Sequence, residues 1–223
     1  MAPVFLFDID NTLLYSGGAG SHAMNRAFQE LFGVSDGFAR VEFSGRTDRF
    51  ILSGGLTEHG IEGDVAEHLE TFTSLYYSML PAALKEREGY LMPGFPELLR
   101  TLLEADARVG LATGNFSEAA RIKLDFYGIG EYFAGGGFGE VDTERAKVVE
   151  AAIRTVADGA GPHDIVVVGD TPHDITSALE NGVIGVGVAT GKYTSEELSE
   201  AGAHAVFQDF GDWAEAAKRL LGG

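Results

Sequence analysis

Hydrophobic residues in this chain fall into short unbroken runs, separated by longer stretches in which apolar positions recur every three or four residues. The runs Val4–Phe7, Val109–Ala112, Ile165–Val168 and Val183–Val188, with Ala205–Phe207 as a weaker fifth, have the length and β-branched content of buried strands. Polar or glycine-rich punctuation follows each. Helical periodicity fills the segments between them: Pro96–Ala105, Glu118–Tyr127 with Ser117 as its expected cap, Arg145–Val156, and Ile175–Glu180 stopped by Asn181-Gly182. Strands alternating with helices predict an α/β fold with a doubly wound, parallel, Rossmann-like sheet.

The stretch from about Leu14 to Met92 breaks this rhythm. Ala23, Met24, Ala27, Phe28, Leu31 and Phe32 share one face of a helix, and a long helical pattern runs from about Val65 to Leu84. An all-helical insert at 15–92 is predicted, with the core made of 1–14 and 93–223 and Pro93-Gly94 returning the chain to it. Phe72, Tyr76 and Tyr77 at helical spacing are expected to form the insert's own core. Gly17-Gly18-Ala19-Gly20 reads either as a hinge or as an ordinary loop.

Composition narrows the possibilities. The 223 residues are 45% hydrophobic and 22% charged, and no segment approaches the roughly 20 apolar residues of a membrane helix. With 34 acidic against 16 basic residues the formal charge is −18, which repels nucleic-acid phosphates and anionic lipid, so neither is an expected partner. The absence of cysteine excludes disulfides, thiolate metal sites and a cysteine nucleophile. The opening MAPVFLFDIDNT reaches acidic residues too early for a secretory signal, and a cytoplasmic location is expected. Gly185-Val186-Gly187 and Gly191-Lys192 match no nucleotide-loop spacing, and none of the six histidines has metal-ligand spacing.

Chemistry concentrates at strand ends. The first strand runs into Asp8-Ile9-Asp10-Asn11-Thr12, the one at Ile165–Val168 into Gly169-Asp170-Thr171-Pro172-His173-Asp174, and the one at Val109–Ala112 into Thr113-Gly114-Asn115. In a parallel sheet these carboxyl ends form the ligand-binding edge. An isolated Asp-x-Asp could simply be an acidic turn; four carboxylates meeting at one edge repel one another unless a cation offsets them. An all-oxygen set of this kind suits Mg²⁺. Asn11 stands in a turn where asparagine tolerates unusual backbone angles.

With these elements in this order, the whole chain resembles the haloacid dehalogenase superfamily, in the subgroup with a helical cap inserted after the first strand, and within it phosphoglycolate-phosphatase-like enzymes. The resemblance implies Asp8 as nucleophile and Asp10 as general acid and base. Thr113, with Gly114 and Asn115, would bind phosphate. Mg²⁺ would be held by Asp8, Asp10 through its carbonyl, and Asp170, with Asp174 either a ligand or a support. The family's third element is a lysine or arginine beside the nucleophile. Here Arg145 and Lys147 compete, and Arg145 is favoured because Val148, Val149, Ala152 and Ile153 form an apolar face just after it.

In the insert, Gly45-Arg46-Thr47-Asp48 resembles the cap loop that faces the site, where Arg46 would meet a substrate carboxylate or phosphate; a surface ion pair is the alternative. The implied function is a Mg²⁺-dependent phosphatase acting on a small phosphorylated metabolite through a phospho-aspartate, as a monomer or homodimer. A sugar phosphomutase of the beta-phosphoglucomutase kind uses the same elements, and a non-enzymatic phospho-aspartate switch is the reading from another class. Dehalogenases lack the second aspartate that Asp10 supplies, and a phosphonatase needs a cap lysine where this insert has only Lys85.

Overall fold

The computed structural model describes residues 2–133 and 135–222; Met1, Ala134 and Gly223 lie outside it, the first and last being the outer limits of the expected core. Its centre is a six-stranded parallel sheet. Strand β1 (Val4–Phe7) lies in the middle, β4 (Arg108–Ala112) and β5 (Gly136–Gly137) extend it on one side, and β6 (Ile165–Gly169), β7 (Ile184–Val188) and β8 (Ala205–Phe207) on the other. Phe7 is in register with Leu111 and with Val168, so the residues after these three strands emerge side by side. This is the α/β doubly wound architecture expected of the alternating pattern.

Alternation along β1 assigns its two faces. Phe5 and Phe7 pack with Leu98, Leu99 and Leu102 of α4 (Phe95–Glu104) and Ala216 and Ala217 of α9 (Trp213–Leu220). Val4 and Leu6 face the other way, toward Val149 and Ala152 of α6 (Arg145–Val156) and Ala178 of α7 (Pro172–Glu180). Burying a side chain of this size contributes about 1.5–3 kcal/mol. Period two then sends Asp8 to the α6 side, where α6 begins with Arg145.

Between β2 (Leu14–Tyr15) and β3 (Tyr90–Leu91), which pair antiparallel, the described elements are all helical: α1 (Ala19–Phe32), α2 (Asp48–Glu58) and α3 (Val65–Glu86). They bury Met24, Phe28, Phe38, Leu52, Phe72, Tyr76 and Leu80 in a cluster that borrows Phe116 and Ala119 from the core. In the Gly17-Gly18-Ala19-Gly20 stretch, read as a hinge or a loop, Gly17 and Gly18 have φ of 64° and 75°, whereas Ala19 and Gly20 are already the first turn of α1. The remaining helix, α8 (Ser195–Glu200), follows β7.

Helix α5 (Ser117–Phe126) corrects one expectation: Ser117 does not cap it. The Phe116 amide donates to Asp48 Oδ2 at 2.9 Å, the Ser117 amide donates to Glu140 Oε2 at 3.0 Å, and the Ser117 hydroxyl also donates to Glu140. Two carboxylates from distant parts of the chain thus satisfy the helix terminus. Among the described residues no helix is long and apolar enough to cross a membrane.

Candidate active site

Asp8 leaves the end of β1 with its amide bound to Val168 O at 2.9 Å, which fixes the carboxylate at the middle of the sheet edge. Its Oδ1 accepts from Arg145 Nη2 at 2.9 Å. The same guanidinium nitrogen donates to Ala112 O at 3.0 Å and to Asp174 Oδ1. Arg145 is buried with them, while Lys147, one half-turn on, lies on the surface against Glu150. Of the two cations considered for this position, the structure brings Arg145 to Asp8.

Asp174 is fully engaged. Its Oδ1 holds Arg145, and its Oδ2 accepts from the Thr171 amide at 3.1 Å and hydroxyl at 2.8 Å in a capping box that starts α7. Asp170 is the opposite case, because its buried Oδ2 has no partner among the described residues. Oxygens of Asp8, Asp170 and Asp174 lie within 4.8 Å of one another. Burial first, then the neighbouring carboxylates, push Asp170 up to about 9 and, despite Arg145, Asp8 up to about 6. An orphaned buried acceptor in an all-oxygen cluster of excess negative charge fits a hard divalent cation such as Mg²⁺.

Asp10 is not part of that cluster. The turn carries it away from Asp8, with Asn11 at φ 59°, the left-handed geometry asparagine accommodates. Its Oδ2 accepts from Lys123 Nζ at 2.6 Å and Asn115 Nδ2 at 2.9 Å, and its Oδ1 from the Ser16 hydroxyl at 3.3 Å. Burial alone would raise Asp10, but Lys123 and these donors outweigh it and hold the carboxyl below its usual range. Lys123 escaped the sequence reading. The available signal was a charged residue on the otherwise apolar Ala119, Ala120, Leu124 stripe of α5.

The loop after β4 joins the two carboxylates. Thr113 is fully buried, and its Oγ1 accepts from the Asn115 amide at 3.3 Å and side chain at 2.9 Å. Asn115 therefore faces Asp10 and Lys123 with its amide group. Gly114 passes directly beneath the insert: a Cβ there would lie 2.2 Å from Arg46 O and 2.9 Å from Arg145 Nη1. Gly114 O also accepts from the Asp48 amide at 2.7 Å.

Asp48 ends the Gly45-Arg46-Thr47-Asp48 loop expected to face the site, although the sequence assigns it no role of its own. It seats the insert on the core through that amide and through its carboxylate on Phe116. Burial raises it to about 7. Arg46 lines the same cavity, but its guanidinium is bound to Glu42 Oε2 at 3.0 and 3.2 Å and lies 4.6 Å over the Phe50 ring. The ion pair and the site-facing position thus coexist. The cleft has a volume of about 580 Å³ and reaches from Asp8, Asp10 and Asp170 to Ser21, Met24 and Asn25 of α1, room for a small metabolite. Tyr76, expected only in the insert's core, lines it as well.

The family model of haloacid dehalogenase-like hydrolases matches residues 2–182. The phosphoglycolate phosphatase of Rhodospirillum rubrum is 28% identical over 221 residues, which cover 96% of this chain and 91% of that protein. Among solved structures, a hydrolase from Pseudomonas syringae superposes with a TM-score of 0.74 at 23% identity over 97% of this chain and 98% of its own. A Bacteroides vulgatus chain assigned as a beta-phosphoglucomutase does so with a TM-score of 0.69 at 19% identity, over 99% and 89%, and shares the fold. The sheet edge, the helical insert and these relatives together establish that the chain belongs to the haloacid dehalogenase-like hydrolase family, as an enzyme of the phosphatase type.

Proposed function

We propose that the chain is a Mg²⁺-dependent phosphatase that hydrolyses a small phosphomonoester, phosphoglycolate or a close chemical relative, through a phospho-aspartate on Asp8. The observation that carries this reading is the contrast between two carboxylates two residues apart: Asp8 is lodged in a negative cluster beside one guanidinium, and Asp10 is clamped by an ammonium. Position, not proton affinity, divides nucleophilic and proton-transfer work between them: Asp8 stands in the carboxylate cluster beside Arg145, and Asp10 stands outside it.

Asp8 is raised only to about 6, so it is ionised at neutral pH and its oxygen can attack phosphorus. Arg145 holds that carboxylate in place and faces the charge that develops on the transferring group. As the ester bond breaks, Asp10 gives a proton to the leaving oxygen. It regains one from the water that cleaves the aspartyl-phosphate. An arriving phosphate dianion favours the protonated form of Asp10 by like-charge repulsion. Asp8, Asp170 and the Asp10 carbonyl would hold Mg²⁺, which offsets negative charge so that two anions can approach, and Asp174 orients Arg145 behind them. Arg46 would exchange Glu42 for an acidic group at the remote end of the substrate.

A panel of small phosphate esters with and without Mg²⁺ tests the reading. Phosphate release from phosphoglycolate is expected, silenced by EDTA and restored by Mg²⁺. Asp8→Asn should lower kcat by about 10³-fold or more while the circular dichroism spectrum is unchanged. Turnover by Asp8→Asn within tenfold of wild type would remove the phospho-aspartate from the mechanism, and isomerisation of a sugar phosphate outpacing its hydrolysis would make the chain a mutase.

A further inference from the structure

The reactions above leave Lys123 without a task. Its side chain is 3% exposed and springs from the buried face of α5 between alanines and a leucine. Burying an ammonium costs several kcal/mol unless good partners offset it. Its partners here are two: Nζ donates to Asp10 Oδ2 at 2.6 Å and to Asn115 Oδ1 at 2.6 Å. Asn115 Nδ2 closes the triangle by donating to that same Asp10 oxygen at 2.9 Å.

The triangle treats the two oxygens of Asp10 unequally. Oδ2 is pinned from two sides by charged and neutral donors, while among the described residues Oδ1 has only the Ser16 hydroxyl at 3.3 Å. The insert completes the seat: Gly20 of α1 has no side chain where a Cβ would lie 3.1 Å from Lys123 Nζ and 3.5 Å from the Tyr76 hydroxyl. A fixed ammonium between the β4 loop and the insert therefore sets where the Asp10 carboxylate points.

We propose that Lys123 is a positioning residue for proton transfer: it clamps Asp10 through Oδ2 so that Oδ1 is the oxygen presented first to the leaving group and then to water. The proton on Oδ1 passes to the ester oxygen as its bond to phosphorus breaks. It is replaced from water as the water oxygen bonds to phosphorus. Lys123 neither gains nor loses a proton in either step. The inference rests on the reading of Asp10 as the proton-transfer carboxylate.

The test is a double-mutant cycle on two aryl esters. Phenyl phosphate has a leaving group that needs a proton, and p-nitrophenyl phosphate has one that needs it far less. Lys123→Met, which keeps an apolar stem and removes the ammonium, should lower kcat/KM about tenfold or more on phenyl phosphate and about threefold or less on p-nitrophenyl phosphate. In an Asp10→Asn background the same substitution should cost no more than about twofold, because the group it positions is already disabled. Lys123→Arg should recover part of the loss. Equal losses on both esters that multiply with Asp10→Asn would overturn the proposal and leave Lys123 a packing residue. Should Lys123→Met fail to fold by circular dichroism, Lys123→Gln goes through the same cycle with the same criteria. Full activity of Asp10→Asn on phenyl phosphate would instead overturn the role of Asp10 itself, a distinct result.

Discussion

Asp8 and Asp10 share one loop, yet the chain neutralises their surroundings in opposite ways. Around Asp8, the Arg145 guanidinium pairs with two of three clustered carboxylates, Asp8 and Asp174, and among the described residues a buried oxygen of Asp170 is left without a partner. Around Asp10, one carboxylate has one ammonium and two neutral donors. The first region is under-neutralised and stores repulsion that a bound cation can relieve; the second is closed and holds its geometry unaided. On the proposed function, metal binding and nucleophilic attack fall to the first region, and proton transfer to the second.

The largest break in this comparison is removal of the shared guanidinium. Arg145→Ala should cost about 10²-fold or more in kcat, as loss of a preorganised electrostatic group does. Lys147→Ala should cost less than about twofold, since its pair with Glu150 is exposed. The reverse ranking in steady-state assays would show that Arg145 serves the fold alone.

The next test reads stored repulsion as stability. Asp170→Asn removes a carboxyl that must keep a proton to stay in its buried site, and without metal at neutral pH it should stabilise the fold by about 1–3 kcal/mol while abolishing activity. Calorimetry should register a rise of about 2–4 °C per kcal/mol in a chain of this size. Mg²⁺ should raise the Tm of the wild type and leave this variant unmoved. A lower Tm for Asp170→Asn without metal would mean that the cluster is not strained.

Titration separates the regions by sign. Asp8, Asp48 and Asp170 are raised to about 6, 7 and 9, so the folded chain holds their protons more tightly than the unfolded chain. Their contribution is complete below about pH 4 and is lost as pH rises through those values. Asp10, held low, contributes above its unfolded value near 4 and loses that contribution as pH falls through its folded one. Urea midpoints of chelated protein should decline from pH 5 to 9, and Mg²⁺ should flatten the decline. A midpoint independent of pH across that range would contradict the difference.

The smallest effect belongs to the insert. Arg46→Ala should lower kcat/KM for phosphoglycolate about tenfold and that for p-nitrophenyl phosphate by less than about threefold. Equal losses would assign Arg46 to its pair with Glu42 and its ring contact with Phe50.

Legibility in the sequence follows the range of the forces involved. The sheet could be read because each central strand is buried on both faces and its apolar run is local, and Asp8, Thr113 and Asp170 could be read because they follow such runs directly. The two-residue strands β2, β3 and β5 are too short for any period. Helix α2 carries Gly54 and Gly55 mid-helix and so hides its pattern. Ser117 misled because the helix terminus it precedes is satisfied by Asp48 and Glu140, and local capping rules do not see across folds. Lys123 and the role of Asp48 were missed for the same reason: each depends on partners that only the tertiary structure brings near.

The short ribbon of β2 and β3 carries a consequence for how such a chain can be rebuilt. The insert leaves and re-enters the core through paired neighbours, Leu14 with Leu91 and Tyr15 with Tyr90, so its two ends are separated by one strand spacing of about 5 Å. A tight hairpin turn could bridge them, and loops of very different length could be exchanged at that point for little change in closure entropy. The helical segment is in this sense a cassette, and natural or laboratory recombination could replace it without disturbing the parallel sheet. Besides the Asp48–Gly114 bond, α5 ties this cassette to its host: a shortened chain would leave Phe116 and Ala119 bare and Phe116 N–H without Asp48, so any exchange has to bring its own cover for that helix.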